Sequence, residues 1–341
     1  MAPVLLAPIT TPASGKGSMT ESLANPAPLV AIVTPVYNGA QFLEATMRSV
    51  QEQTYPNIVH VVLDNASTDA TPQIVESFKN QRVPLVVARN DVLLQMDDNW
   101  NAALKLVPAE AAYFAFVCAD DILMPESTER MVALAESDDE ISMVTSNILR
   151  NGRFEDFRWP RDQSVFDGRE AARMYLKLDS TFEGRQMLMR REAILSATPF
   201  WDETVVQASD MDVALRMLGR GKLGFVHQPL MNILDHPDNE FHRTVLPTHL
   251  HYGSWFINLK RHGPKALGAE FVEIYKRYRR SYLRRMLIWV LKDKNRAAFD
   301  CHMQLLAKVD REPTAFQFLD AIVDWALIKI KLRKNWHGAP Y

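Results

Sequence analysis

The chain is short of cysteine: Cys118 and Cys301 are the only two in 341 residues. They stand too far apart for a disulfide framework or a zinc-ligand spacing. Two reduced thiols in a cytoplasmic protein are therefore expected. Long apolar runs are missing too, since no stretch approaches the ~18 residues that a membrane-spanning helix needs. Neither sign of charge dominates. With 39 Lys and Arg against 41 Asp and Glu, the formal net charge is −2, and no nucleic-acid partner is expected. No internal repeat is present.

What is present divides into three parts. Residues 1–28, MAPVLLAPITTPASGKGSMTESLANPAP, lack a charged start and break their short apolar stretch at Pro8, which makes a poor leader. Their Pro, Ala, Ser and Thr content predicts a disordered tail, with Met19 as an alternative start. From Leu29 the texture changes to strands alternating with helices. LVAIVTPVY reads as a buried strand, followed by a helix with Phe42, Leu43, Thr46, Met47 and Val50 on one face. NIVHVVLD (57–64), VPLVVA (83–88) and AAYFAFVCA supply further strands, with TPQIVESFKN and NWNAALKL as helices between them. This alternation predicts an α/β doubly wound, mostly parallel sheet. After Pro125 the pattern loosens into mixed strands and loops. Helix DMDVALRMLGRG (210–221) is expected to end in a glycine cap and lead into strand KLGFVHQPL. Residues 241–341 read as helices alone.

Open parallel sheets bind ligands beyond the carboxyl ends of their strands. Pro35, Tyr37 and Asn38 follow the first strand, Asp64 and Asn65 the second, and Asp120 and Asp121 the fourth. An aromatic ring, amides and carboxylates at one edge suit a nucleotide, with the carboxylate pair for a divalent cation on its phosphates. Glycine is scarce where a dinucleotide fold would need it. PVYNGA holds a single glycine instead of GxGxxG, and no GxxxxGK[ST] occurs. A phosphate held without a glycine cradle calls for a metal.

VAIVTPVYNGAQFLEATMRSVQEQTYPNIVHVVLDNASTDAT resembles the opening of the family 2 glycosyltransferases. It presents, in order, P-x-Y-N, S-[VIL]-x-x-Q-T and D-[DN]-x-S-x-D-x-T through Pro35, Tyr37, Asn38, Ser49, Gln53, Thr54, Asp64, Ser67, Asp69 and Thr71. The resemblance implies a GT-A (Rossmann-like) fold: a mostly parallel sheet flanked by helices, with an α-helical C-terminal extension. It sets a catalytic domain at 29–240 and a helical region at 241–341. Pro35, Tyr37, Asn38, Asp64, Asn65, Asn101 and Asp120 would bind a nucleotide-sugar. Asp120, Asp121 and His236 would hold Mg²⁺ or Mn²⁺. Either Cys118-Ala119-Asp120 or Ala119-Asp120-Asp121 aligns with the family's D-x-D. In ASDMDVALRMLGRGK, which resembles E-D-x-x-L-x-x-R, the catalytic base falls on Asp210, with Asp212 a weaker choice.

The resemblance implies an inverting hexosyl transfer from a nucleotide-diphosphate sugar to an acceptor hydroxyl in polysaccharide or glycoconjugate synthesis. The acceptor would be a glycan or a lipid-linked glycan. A nucleotidyltransferase-like enzyme and a non-catalytic nucleotide-sugar-binding relative are the alternatives. Taken singly, each motif has a plainer account: Asp64 as a turn residue, Asp120 and Asp121 as a solvated loop, Ser209-Asp210 as a helix cap, and His236 as a surface histidine. Their ordered co-occurrence favours the joint reading.

Between Lys260 and Lys294 the chain carries eleven Lys and Arg against three acids. Phe271, Tyr275, Tyr278, Tyr282 and Met286 recur there at helical spacing. The aromatic stripe is expected to pack on the catalytic domain. Peripheral contact of these basic helices with the inner face of a membrane is the alternative.

Overall fold

The computed structural model describes residues 27–194, 200–202, 209–239 and 241–332. The tail expected at 1–28 lies outside the described residues except for Ala27 and Pro28. Ten strands form one sheet: β1 (Val30–Val36), β2 (Ile58–Asp64), β3 (Leu85–Arg89), β4 (Tyr113–Phe116), β5 (Ile122–Leu123), β6 (Ile141–Arg150), β7 (Arg153–Glu155), β8 (Val165–Phe166), β9 (Leu188–Arg190) and β10 (Lys222–Ile233). Helices α1 (Leu43–Gln51), α2 (Thr71–Ser77), α3 (Met96–Leu104), α4 (Ser127–Ala135), α5 (Gly168–Lys177), α6 (Arg191–Ile194) and α7 (Ser209–Leu218) accompany it. A π-turn at Phe241–Val245 then leads into α8 (Leu246–Thr248), α9 (Leu250–Leu267), α10 (Phe271–Leu291), α11 (Arg296–Val309) and α12 (Ala315–Lys329).

The sheet runs β3-β2-β1-β4-β9-β6-β10-β5, with β7 on β6 and β8 on β10. Its longest ladders, β1 on β2 and β6 on β10, are parallel. Every residue of β1 and β2 is buried, which is why both read as continuous apolar runs rather than alternating ones. One departure from simple winding is β9, which lies antiparallel between β4 and β6. Three residues are too few to show periodicity, and their order comes from ladders on both sides: Met189 pairs with Phe114 and with Met143.

The glycine cap expected after α7 does not form. Neither Gly219 nor Gly221 has a positive φ. Gly221 is required by proximity, because a Cβ there would lie 2.4 Å from the Glu140 carbonyl oxygen. That contact sets α7 close against the start of β6.

The C-terminal helices share the core of the sheet. Tyr278, Tyr282, Met286 and Trp289 of α10 are buried, and the Tyr278 hydroxyl donates to the Tyr252 carbonyl at 2.9 Å. The aromatic stripe thus faces inward, as its spacing suggested. Asp212 of α7 is buried and joins Arg216, Arg261 and His262 at 2.8, 3.2 and 2.7 Å, tying α7 to α9. Burial works to raise its pKa, but the His262 hydrogen bond and the nearby cations bring it below the usual value. Asp212 is therefore a tether between helices. No described helix is long and apolar enough to cross a membrane.

His60 sits fully buried in β2, its Nε2 3.0 Å from Thr34 Oγ1 on β1. Burial lowers its pKa to about 3. The unfolded chain therefore takes up a proton near pH 6.5 that the folded chain refuses, and stability is lost as pH falls below that value. The expected slope from this residue is about 1.4 kcal/mol per pH unit between about pH 6.5 and pH 4. Urea unfolding across that interval should show the slope in the parent chain and a flatter profile in His60→Leu.

Candidate active site

The turn after β1 is held by the segment after β2. Backbone N–H groups of Asn38, Gly39 and Ala40 donate in succession to Ser67 Oγ (2.9 Å), Thr71 Oγ1 (2.9 Å) and Asp69 Oδ2 (3.0 Å). Asn38, at φ +49°, accepts in return from the Thr68 N–H at 2.8 Å. The S-x-D-x-T spacing thus supplies acceptors for three successive donors that no strand or helix satisfies. Pro35 is buried within β1, whereas Tyr37 is 48% exposed and presents its ring at the sheet edge.

Asp64 ends β2 in a buried position. Its Oδ1 accepts from the Ser67 N–H at 2.9 Å, and its Oδ2 pairs with Arg89 of β3. Asn65 is equally engaged. Its amide donates to the Leu94 carbonyl at 3.0 Å, while its Oδ1 accepts from Leu94 N–H and Asn90 Nδ2. Asn65 therefore fixes the loop between β3 and α3. Asn101 makes a matched pair of hydrogen bonds with the Trp201 backbone at 2.9 and 3.0 Å, so both ends of its amide are committed.

Asp120 and Asp121 follow β4. The Asp120 carboxylate is partly accessible and lies 3.1 Å from His236 Nε2, whose ring packs on Phe42 at 4.4 Å. Asp121 is fully buried. Its Oδ1 accepts from the Leu234 N–H at 3.3 Å, and its Oδ2 has no hydrogen-bond partner, although Arg185 Nη1 lies 3.7 Å away. Burial pushes Asp121 up to about 7. Arg185 opposes that rise, while Asp120 and Glu183 add to it. Ligand atoms of Cys118, Asp120 and Asp121 lie within 4.8 Å of one another. Burial pushes the Cys118 thiol well above its usual value, which makes it a poor ligand for a hard cation. A buried, unpartnered carboxylate oxygen beside a second carboxylate fits a divalent metal.

Asp210 begins α7 on the far side of an ion pair absent from the sequence argument. Glu183 and Arg185 lie 3.2 Å apart, and Arg150 reaches Glu183 at 3.1 Å. Burial of Glu183 would raise its pKa, but Arg185 and Arg150 hold it below the usual range. Between the pair is Gly184, where a Cβ would fall 2.3 Å from Asp210 Oδ2. Asp210 Oδ1 accepts from the Met211 N–H at 2.7 Å. Burial, followed by the charge of Glu183, pushes Asp210 up to about 6. The Glu183–Arg185 pair therefore acts on Asp121 and on Asp210 alike.

Residues 31–196 match the family described as Glycosyl transferase family 2. The matched region, just under half of the chain, is similar to glycosyl transferase family 2. Curated relatives agree. A putative teichuronic acid biosynthesis glycosyltransferase, TuaG of Bacillus subtilis, is 28% identical over 32% of this chain and 43% of the relative. The Escherichia coli UDP-Glc:alpha-D-GlcNAc-diphosphoundecaprenol beta-1,3-glucosyltransferase WfaP is 30% identical over 32% of this chain and 42% of the relative. The chain thus spans less than half the length of these two. Among solved structures, S. aureus TarS 1-349 superposes with a TM-score of 0.62 at 17% identity, covering 91% of this chain and 86% of TarS. The mannosyltransferase PcManGT from Pyrobaculum calidifontis gives 0.50 at 18% identity, covering 91% and 82%. These likenesses establish the fold.

The matched region takes in Asp64, Asp120, Asp121, Glu183 and Arg185, while Asp210 and His236 lie beyond it. Arg89, Arg150, Glu183 and Arg185 were missed from sequence because the groups they act on at the site are remote in the chain: Asp64 for Arg89, Glu183 for Arg150, and Asp121 and Asp210 for the Glu183–Arg185 pair. The one local signal was FEGRQ, two opposite charges around a glycine in a stretch otherwise read as loop.

A carboxyl whose folded pKa is raised contributes stability below its unfolded value and loses it as pH rises through about 6. Metal-free Asp210→Asn is therefore expected to be more stable than the parent at alkaline pH by about 1–3 kcal/mol, converging with it below about pH 4. Denaturant midpoints measured across pH check this.

Proposed function

We propose that residues 29–240 catalyse inverting transfer of a hexosyl group from a nucleotide-diphosphate sugar to an acceptor hydroxyl, with residues 241–341 as a helical accessory region. One observation carries the proposal. A half-buried carboxylate poised near neutrality, Asp210, is set apart from the Asp120–Asp121 pair by the Glu183–Arg185 ion pair. A pair that holds a cation cannot also take up a proton, so a separate base is required. The names of related proteins support the donor class. WfaP is named for UDP-Glc, TarS has been captured with UDP-GlcNAc, and PcManGT with GDP-Man and Mn²⁺. The undecaprenol-linked acceptor in the WfaP name favours a lipid-linked glycan acceptor here, met at the cytoplasmic face of a membrane.

Each residue then has a task. Tyr37 offers its exposed ring to the base, and Pro35, Asn38, Asp64 and Asn65 shape the base and ribose pocket. Asn101 contributes by holding Trp201. Asp120 and Asp121, with His236, would hold Mg²⁺ or Mn²⁺. When bound, such a cation stabilises the charge that develops on the departing diphosphate. Asp210 accepts the proton of the acceptor hydroxyl as its oxygen bonds to the anomeric carbon. The bond from that carbon to the diphosphate oxygen breaks, and the nucleoside diphosphate leaves with the electron pair. With its pKa near 6, Asp210 is ionised at neutral pH yet basic enough to assist.

A thermal-shift screen of UDP-, GDP- and dTDP-sugars with Mn²⁺ identifies the donor. With that donor, Asp210→Asn should lower turnover by about 10²–10⁴-fold while leaving donor affinity nearly unchanged, and the parent rate should fall tenfold per pH unit below about 6. Unchanged turnover would remove Asp210 from its role. Calorimetry of the corresponding nucleoside diphosphate should show Mn²⁺-dependent binding in the parent chain. Its persistence in Asp120→Ala/Asp121→Ala would sink the metal assignment.

A further inference from the structure

Helix α12 presents its apolar face to solvent. A capping box between Thr314 and Gln317 starts it. At 3.6 residues per turn, Phe316, Leu319, Ile322, Val323 and Ala326 fall within one arc of about 120°. All five are exposed, Phe316 at 77%. The opposite side packs inward through buried Ala321 and through Phe318, which stacks with Phe299 at 5.9 Å. Both acids of the helix are turned toward α10. Asp320 lies 2.7 Å from Arg280, and Asp324 lies 4.0 and 3.9 Å from Arg280 and Arg284. An amphipathic helix normally buries its apolar stripe and exposes its charges. Here ion pairs hold the charged flank inward, and the apolar stripe is left outside.

Residues at the end of the stripe and beyond it identify its occupant. Exposed Ile330 and Leu332 alternate with exposed Lys329 and Lys331. The sequence from Trp325 to Tyr341 adds Arg333, Lys334 and Trp336, and contains no Asp or Glu. An apolar row running into a sequence rich in cations and free of acids matches an anionic lipid surface, with apolar side chains at the acyl boundary and cations among the headgroups. A second copy meeting this face would bring only the same cations, because the acids of α12 are already paired. We propose that α12 is a membrane-docking helix for anionic phospholipid. The aromatic stripe of α10, within the basic region that the sequence offered for membrane contact, is turned into the core through Tyr278, Tyr282 and Met286. The exposed face belongs instead to α12.

The proposal is tested without substrate, so its failure leaves the transfer reading untouched. The full chain is sedimented with vesicles of phosphatidylcholine alone and of phosphatidylcholine with phosphatidylglycerol. Binding is expected on the anionic vesicles, weakened by salt and slight on the neutral ones. Leu319→Glu/Val323→Glu should cut the partition coefficient at least tenfold with an unchanged circular dichroism spectrum. If that variant misfolds, Val323→Ser is the milder form and should still lower binding. Lys329→Ala/Lys331→Ala should weaken binding to anionic vesicles only. A parent chain that stays in the supernatant, or outward-face variants that bind like the parent, would overturn the proposal. So would a dimer by light scattering that Leu319→Glu/Val323→Glu dissolves, since it would assign the face to a second copy.

Discussion

The site depends on the charge balance that Glu183 and Arg185 establish among clustered carboxylates. Asp120, Asp121, Glu183 and Asp210 all stand in one region of low solvent access, where like charges repel strongly. Arg185 is the cation whose field reaches Asp121, Glu183 and Asp210 together, and Arg150 completes the neutralisation of Glu183. Burial, with the charge of ionised Glu183 added to it, pushes Asp121 and Asp210 upward. Asp121 is left short of a partner and Asp210 is poised near neutral pH. In the proposed reaction a divalent cation would relieve the first, and an acceptor hydroxyl would give the second its proton.

The other polar residues of the site are mostly architectural. Ser67, Asp69 and Thr71 spend their oxygens on the N–H groups of residues 38, 39 and 40. Asn65 spends its amide on the loop at Leu94, and Asn101 on Trp201. Motif residues that look like ligands in sequence are here the fixtures of two loops, which lets Tyr37 stand open on a rigid turn. Preorganisation of this kind would limit the ordering cost of binding the proposed nucleotide.

At the other end of the chain, ion pairs again decide orientation. Asp212 locks α7 to α9, so the helix that carries Asp210 cannot shift independently of the C-terminal helices. Arg280 and Arg284 draw the acids of α12 inward, and its apolar side is turned out as a consequence. The chemistry at the sheet edge and the surface suited to lipid are thus joined through one continuous core.

Much of this was legible in the sequence, because the information is local. The apolar runs of β1 and β2, the helical face of α1 and the ordered positions of Asp64, Asp120 and Asp210 depend on neighbours within a few residues, and so the α/β sheet, its order of elements and the carboxylates at the strand ends could be read directly. Tertiary structure alone decided which of those polar groups remain available. The insertion of β9 between β4 and β6, the Glu183–Arg185 pair beneath two distant aspartates, the inward aromatic face of α10 and the outward apolar face of α12 all rest on contacts between residues far apart in the chain. Burial and pairing are set by those remote neighbours, and periodicity carries no record of them.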